Sequence, residues 1–205
     1  MKGASSVFLL STILLSILLQ MALTPIQEKR SFQIYLLGAT RKSDYYHADE
    51  SSVLLRKKAK WHLGISNTMG SLQYVVVRIK FANCTIKAPD DDNGTPSPAP
   101  ILVEFSRVLL SNETWETFFI WVIKEININA DAISPTLIEV NGVEIRDSPV
   151  SRVSTVGGRN FRIIFELWTF DHETNSLIFG WRDEGERKTA WLQMWLNLTT
   201  LAKAP

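Results

Sequence analysis

Side chains alternate between apolar and polar with a period of two through most of the chain after residue 31, and that period leaves a β-sheet protein as the outcome. "FQIYLLG" places Phe32, Ile34 and Leu36 on one face of a strand. "LQYVVVRIKFA" places Val75, Val77, Ile79 and Phe81 on one side and Tyr74, Arg78 and Lys80 on the other, which reads as one buried and one wet face. "FRIIFELWTF" sets Phe161, Ile163, Phe165 and Leu167 against Arg162, Glu166, Trp168 and Phe170. "WLQMWLNLTT" sets Ala190, Leu192, Met194, Leu196 and Leu198 against Trp191, Gln193, Trp195 and Asn197.

Turn chemistry separates these runs. Asn141-Gly142 within "TLIEVNGVEI" is the strongest short hairpin signal available. "NTMGS" reads as a hairpin closing near Gly70, and Ser111-Asn112-Glu113 as another. The last three runs read as a three-stranded meander, and residues 122–133 offer the one short stretch compatible with a helix. Roughly eight to ten strands with frequent turns predict an all-β antiparallel sandwich over residues 31–200. Residues 88–100, "APDDDNGTPSPAP", hold four prolines and three aspartates and read as a mobile, solvated loop. The aspartate spacing does not match a calcium loop.

Residues 3–27 carry no charge, and Val7 to Leu23 is almost continuously apolar. At about 1.5 Å per helical residue such a segment can span a hydrocarbon core. It can also be read as a signal peptide, but Pro25 would follow the small residues Ala22 and Thr24 directly and disfavours cleavage there. We therefore expect residues 1–30 to be an uncleaved signal-anchor, a single transmembrane helix. Four sequons, at Asn83, Asn93, Asn112 and Asn197, mildly exceed what composition predicts. They favour a single-pass protein of the cell membrane with its C-terminal domain outside the cell and glycosylated.

Composition excludes some functions. The net charge is +1, so no global field attracts nucleic acid, and Arg56-Lys57-Lys58-Ala59-Lys60 reads as a solvated edge or loop. Cys84 is alone and reads as a small half-buried hydrophobe. No nucleophile elbow, phosphate-binding glycine loop or zinc motif is present, and no cofactor is expected. His47 lies among Asp44, Asp49 and Glu50, a weak metal pattern, and His62 reads as structural. Asp171-His172-Glu173 could serve a hydrolase, yet it lies between two apolar strands, where these residues are ordinary turn formers.

Seven tryptophans remain to be placed. Trp168, Trp191 and Trp195 fall on the outward faces of their strands. They can be covered by the chain itself, meet a protein partner, or stack on a sugar.

The stretches "FQIYLLG", "LGISNTMGSLQYVVVRIKFANCTIKAP", "PAPILVEFSRVLLSNETW" and "FRIIFELWTFDHETNSLIFGW" together resemble an uncharacterised archaeal envelope family, the domain of unknown function numbered 1616. The resemblance spans most of residues 32–198. It implies an extracytoplasmic immunoglobulin-like sandwich attached to the membrane. Many members carry several N-terminal membrane helices where this chain has one segment, and the resemblance brings no catalytic or ligand residues. The expected function is a non-enzymatic interaction or structural module contacting envelope proteins. The alternatives are a carbohydrate-binding module using Trp168, Trp191 and Trp195, and then a hydrolase.

Overall fold

The computed structural model describes residues 13–20, 30–43, 52–146 and 148–199. Residues 13–20 are helical and exposed, and among the described residues no helix is long and apolar enough to cross a membrane. The cluster expected around His47, with Asp44, Asp49 and Glu50, lies outside the described residues.

The strands form two facing sheets. The first runs in the order β1 (Phe32–Leu37), β3 (Ala59–Asn67), β6 (Thr114–Asn129), β7 (Ala132–Val140), β8 (Val143–Arg146), with β9 (Thr155–Val156) added to β7. The second runs β2 (Ser52–Leu54), β14 (Trp191–Thr199), β10 (Phe161–Asp171), β4 (Gln73–Asn83), β5 (Ile101–Leu109), with β11 (Ser176–Phe179) paired to β10. A small ribbon of β12 (Trp181–Asp183) and β13 (Glu186–Lys188) stands apart. Neighbours are antiparallel except β2, which runs parallel to β14. Having β1, β3 and β6 in one sheet and β14, β10 and β4 in the other is an immunoglobulin-like arrangement.

The apolar stripes meet between the sheets as their alternation requires. Val75, Val77, Ile79, Phe81, Phe161, Ile163, Phe165 and Leu167 are all fully buried. At the centre Trp61 packs 5.3 Å from Trp121, and Phe119 meets Phe165 edge-on at 5.5 Å. These rings bury large areas and favour such tilted pairings.

Four local expectations are corrected. "NTMGS" and Ser111-Asn112-Glu113 are not hairpins, because each carries the chain from one sheet to the other. Both crossings are tied to the buried Asn67, whose Nδ2 donates to the carbonyls of Ser71, Leu109 and Leu110. A hairpin and an arch use the same Gly, Ser and Asn residues, and only the partner strand separates them. Residues 122–133 form no helix. They belong to β6, its two-residue turn and the start of β7, and register shifts near Glu125 blur the period of β6.

The expected meander is also different. β10 lies between β4 and β14, with β11 adding three pairs at its end. The Asn141-Gly142 hairpin does form, pairing Val140 with Val143. Its φ angles of 49° and 86° are those a type I′ turn demands.

Candidate functional site

The outward tryptophans lie on the outer face of the second sheet. Residues 87–100 cover part of that face, which corrects the reading of this segment as a solvated loop. Ser97 and Ala99 are buried, and Ala99 packs with Ala82 and Ile164, with Ile86 and Trp191 against them.

The anchor of this cover is a charged pair inside the protein. Glu166, fully buried on β10, accepts from the Ser97 amide at 2.7 Å through Oε1. Its Oε2 meets Lys80 Nζ at 2.8 Å and accepts from Trp168 Nε1 at 3.1 Å. Lys80 is buried as well and donates to the Ser97 carbonyl. A buried carboxylate needs this full set of donors. The outer face of β4 is therefore covered at Lys80 and wet only toward Tyr74.

Each tryptophan has its own surroundings. Trp168 is half-buried, with the Arg78 guanidinium 3.8 Å over its ring and Phe179 at 5.9 Å. Trp191 donates from Nε1 to Asp91 Oδ1 at 2.7 Å, and Thr189 donates its hydroxyl to the same oxygen. Trp195 is 43% exposed. Arg162 lies 5.0 Å from its ring centre, donates to Gln193 Oε1 at 2.9 Å and bonds to the Ile86 carbonyl. Burial lowers the Arg162 pKa from its ordinary value. The three indoles do not form one bare platform: two are engaged inside the molecule and Trp195 faces out.

Beside Trp195 no strand among the described residues covers the outer edge of β14. β14 pairs with β10 over Trp191–Leu196, while β2 reaches only Asn197–Thr199. The amide of Leu198 bonds to Gly158 and the carbonyl of Ala190 to Leu167, so even-numbered residues face inward along the sheet. The backbone amides and carbonyls of Trp191, Gln193 and Trp195 thus point away from β10, and no strand among the described residues meets them.

Asp171, His172 and Glu173 stand at the turn between β10 and β11. Asp171 accepts from the Thr174 hydroxyl at 2.8 Å and from Arg182 Nε at 3.2 Å, and the hydroxyl bond first of all holds its pKa below the usual carboxylate value. His172 is exposed and sits edge-on to Phe170 at 5.1 Å. Among the described residues no group of three metal-ligating side chains gathers.

The basic run is partly paired. Lys58 meets Glu139 at 3.3 Å, and Arg56 and Lys58 border an open groove of about 420 Å³. His62 is buried with Nδ1 3.0 Å from Glu116 Oε1, consistent with a structural place. Cys84 is exposed, not half-buried.

The sequons differ in setting. Asn112 is exposed at a turn with φ 60°. Asn93 is exposed and donates to Asp90. Asn83 donates to the Ser154 carbonyl, and Asn197 accepts from the Asn160 amide.

No family model matches this chain, and no curated protein does. Among solved structures, a CARDB domain from Pyrococcus furiosus, solved in complex with di-metal ions, is similar over 84% of this chain and 96% of its own, at 12% identity and a TM-score of 0.38. This chain's own strand order is what makes the arrangement immunoglobulin-like.

Lys80, Glu166, Ser97 and Asp91 were not singled out from the sequence. One signal was present: Lys80 and Glu166 interrupt apolar strands that pair with each other, with Lys80 opposite Ile164 and Arg78 opposite Glu166. Opposite charges on neighbouring strands attract equally on a wet face, so the cover above them is shown only by the tertiary contacts of Ser97.

Proposed function

We propose that this chain is a membrane-anchored β-sandwich of an archaeal cell envelope, displayed outside the cell, that works by binding an envelope protein and not by catalysis. The observation that carries the binding surface is Trp195, exposed on the outer face of the sheet beside a stretch of β14 that no strand among the described residues meets. Exposed aromatics backed by an arginine are typical contact anchors, and an open edge supplies backbone partners for an added strand. The uncharged segment of residues 3–27 supports the anchor, the four sequons support an extracytoplasmic site, and the likeness to the archaeal envelope family supports the setting.

The test is detergent extraction from native membranes and mass spectrometry of what co-purifies, for the native chain and for Trp195→Ala. A stoichiometric envelope protein lost with the variant supports the reading. A partner retained unchanged removes Trp195 from it, and specific turnover by the purified chain removes the whole reading.

A second reading is favoured by one observation. The Gln193 amide and the Arg162 guanidinium flank the Trp195 indole, a combination that can stack on and hydrogen-bond a sugar ring. Glycan binding that survives Trp195→Ala would dismiss it.

A further inference from the structure

Six apolar side chains gather at one end of the second sheet's outer face, and they are not explained by the contact surface around Trp195. Tyr74 pairs with Val108 across β4 and β5, and both are exposed, at 40% and 49%. Phe170 stands one residue beyond the Thr169–Val75 pair and is itself paired with Leu177. Leu72 and Leu110, each 60% exposed, sit just outside the strand ends. Sheet alternation puts Val108, Tyr74, Phe170 and Leu177 on one face, so they make a row across four strands.

This is the end of the sandwich at which the described chain enters. The Thr68 amide donates to the Ser31 carbonyl at 2.9 Å, and the neighbouring Asn67 side chain donates to the carbonyls of Ser71 and Leu110. Ser31, Leu72 and Leu110 are thus held around one asparagine. Gln27, the last residue of the uncharged segment, is four residues from Ser31, a separation of at most about 14 Å. The polar layer on each side of a bilayer's hydrocarbon core is itself roughly 5–7 Å thick.

We propose that this apolar rim rests in the interfacial layer of the bilayer that holds the N-terminal segment, so that the domain is oriented against the membrane as well as tethered to it. The proposal builds on the anchored reading above. Short tether and apolar rim act together: the tether sets the distance, Tyr74 supplies an amphipathic ring of the kind that favours the headgroup level, and Phe170 adds apolar surface. The far end of β3, where Ala59, Trp121, Val140 and Val143 form a row across the first sheet, is one strand length from the rim, about 26 Å for the nine residues of β3. Its exposed Val143 reports on that end.

The experiment uses the full chain with Cys84→Ser, reconstituted in phosphatidylcholine vesicles. A polarity-sensitive dye is attached at Leu110→Cys or, separately, at Val143→Cys, and spin labels are placed at the lipid headgroup. The expected result is a blue-shifted dye quenched by the labelled lipid at position 110, and a water-exposed, unquenched dye at position 143. If both dyes report water while the chain stays with the vesicles through an alkaline wash, the rim proposal is overturned and the anchor stands. If the wash releases the chain, the anchored reading fails and the rim proposal goes with it. A dye at position 110 that is shielded yet not quenched by lipid shows a protein cover, which also overturns the proposal.

Discussion

Lys80 Nζ lies 2.8 Å from Glu166 Oε2, with both side chains buried beneath the segment that runs through Ser97. An ion pair placed there stabilises little in itself, because desolvation offsets the attraction, but losing one partner strands the other. Glu166→Gln is therefore expected to lower the unfolding free energy by about 3–5 kcal/mol in urea denaturation. Lys80→Met combined with Glu166→Leu should recover much of that. A single-variant loss below about 1 kcal/mol would place the pair in water.

Trp191 and Trp195 stand four residues apart on one face of β14, yet they should respond differently. Trp191→Phe removes the Nε1 bond to Asp91 and should cost about 1 kcal/mol, with faster proteolysis within residues 88–100. Trp195→Ala should leave the melting temperature nearly unchanged and weaken partner binding. The two variants are compared by thermal melts and limited proteolysis, and equal proteolysis rates would contradict the pinning role of Trp191.

The Tyr35 ring lies across Gly64, so that a Cβ at position 64 would stand 1.9 Å from Tyr35 Cζ. Gly64→Ala must push the ring aside and is expected to cost about 1–3 kcal/mol, less when Tyr35→Ala is also present. Denaturant melts of the two single variants and the double variant check this. Additive losses would mean that the ring does not cover the glycine.

Burial, and secondly the charge of Glu116, raise the Tyr35 pKa above the ordinary tyrosine value, opposed by Arg41. The folded protein thus holds this proton more tightly than the unfolded chain does. Its contribution to stability is whole below the ordinary tyrosine pKa and is lost as pH rises from there through the folded value. Stability measured across alkaline pH should fall less steeply in Tyr35→Phe than in the native chain. Identical slopes would rule the effect out.

Gly142 has a φ of 86° and nothing within 4 Å of where a Cβ would stand. The cost of Gly142→Ala is then purely conformational, about 1–2 kcal/mol, with no rearrangement of the core. Urea melts and an unchanged near-ultraviolet circular dichroism spectrum would confirm that. A changed core spectrum would contradict it.

The inward stripes of β4, β10 and β14 were legible because alternation is a local property of a strand, and burial of Phe161, Ile163 and Phe165 follows from it directly. The Asn141-Gly142 hairpin was legible for a similar reason, since a two-residue turn with two positive φ angles is a local requirement. The arches at residues 68–72 and 111–113 were not. Their composition matches a hairpin, and only the pairing of β3 with β6 and of β4 with β5 shows that the chain changes sheets. In β6 the register shifts near Glu125 broke the very period on which a strand reading depends.

The candidate site divides the same way. Which tryptophans point outward follows from counting residues along β10 and β14, and that much the residues determine alone. Whether an outward indole meets water depends on contacts far apart in the chain. Asp91 reaches Trp191 across 100 positions, and Ser97 reaches Glu166 across 69. Such contacts leave no local period, because loop closure brings together residues whose separation carries no pattern of its own. The sequence by itself determined the strands and their faces; the tertiary structure decided that the loop covers Trp191, and that Trp195 is the indole left facing out.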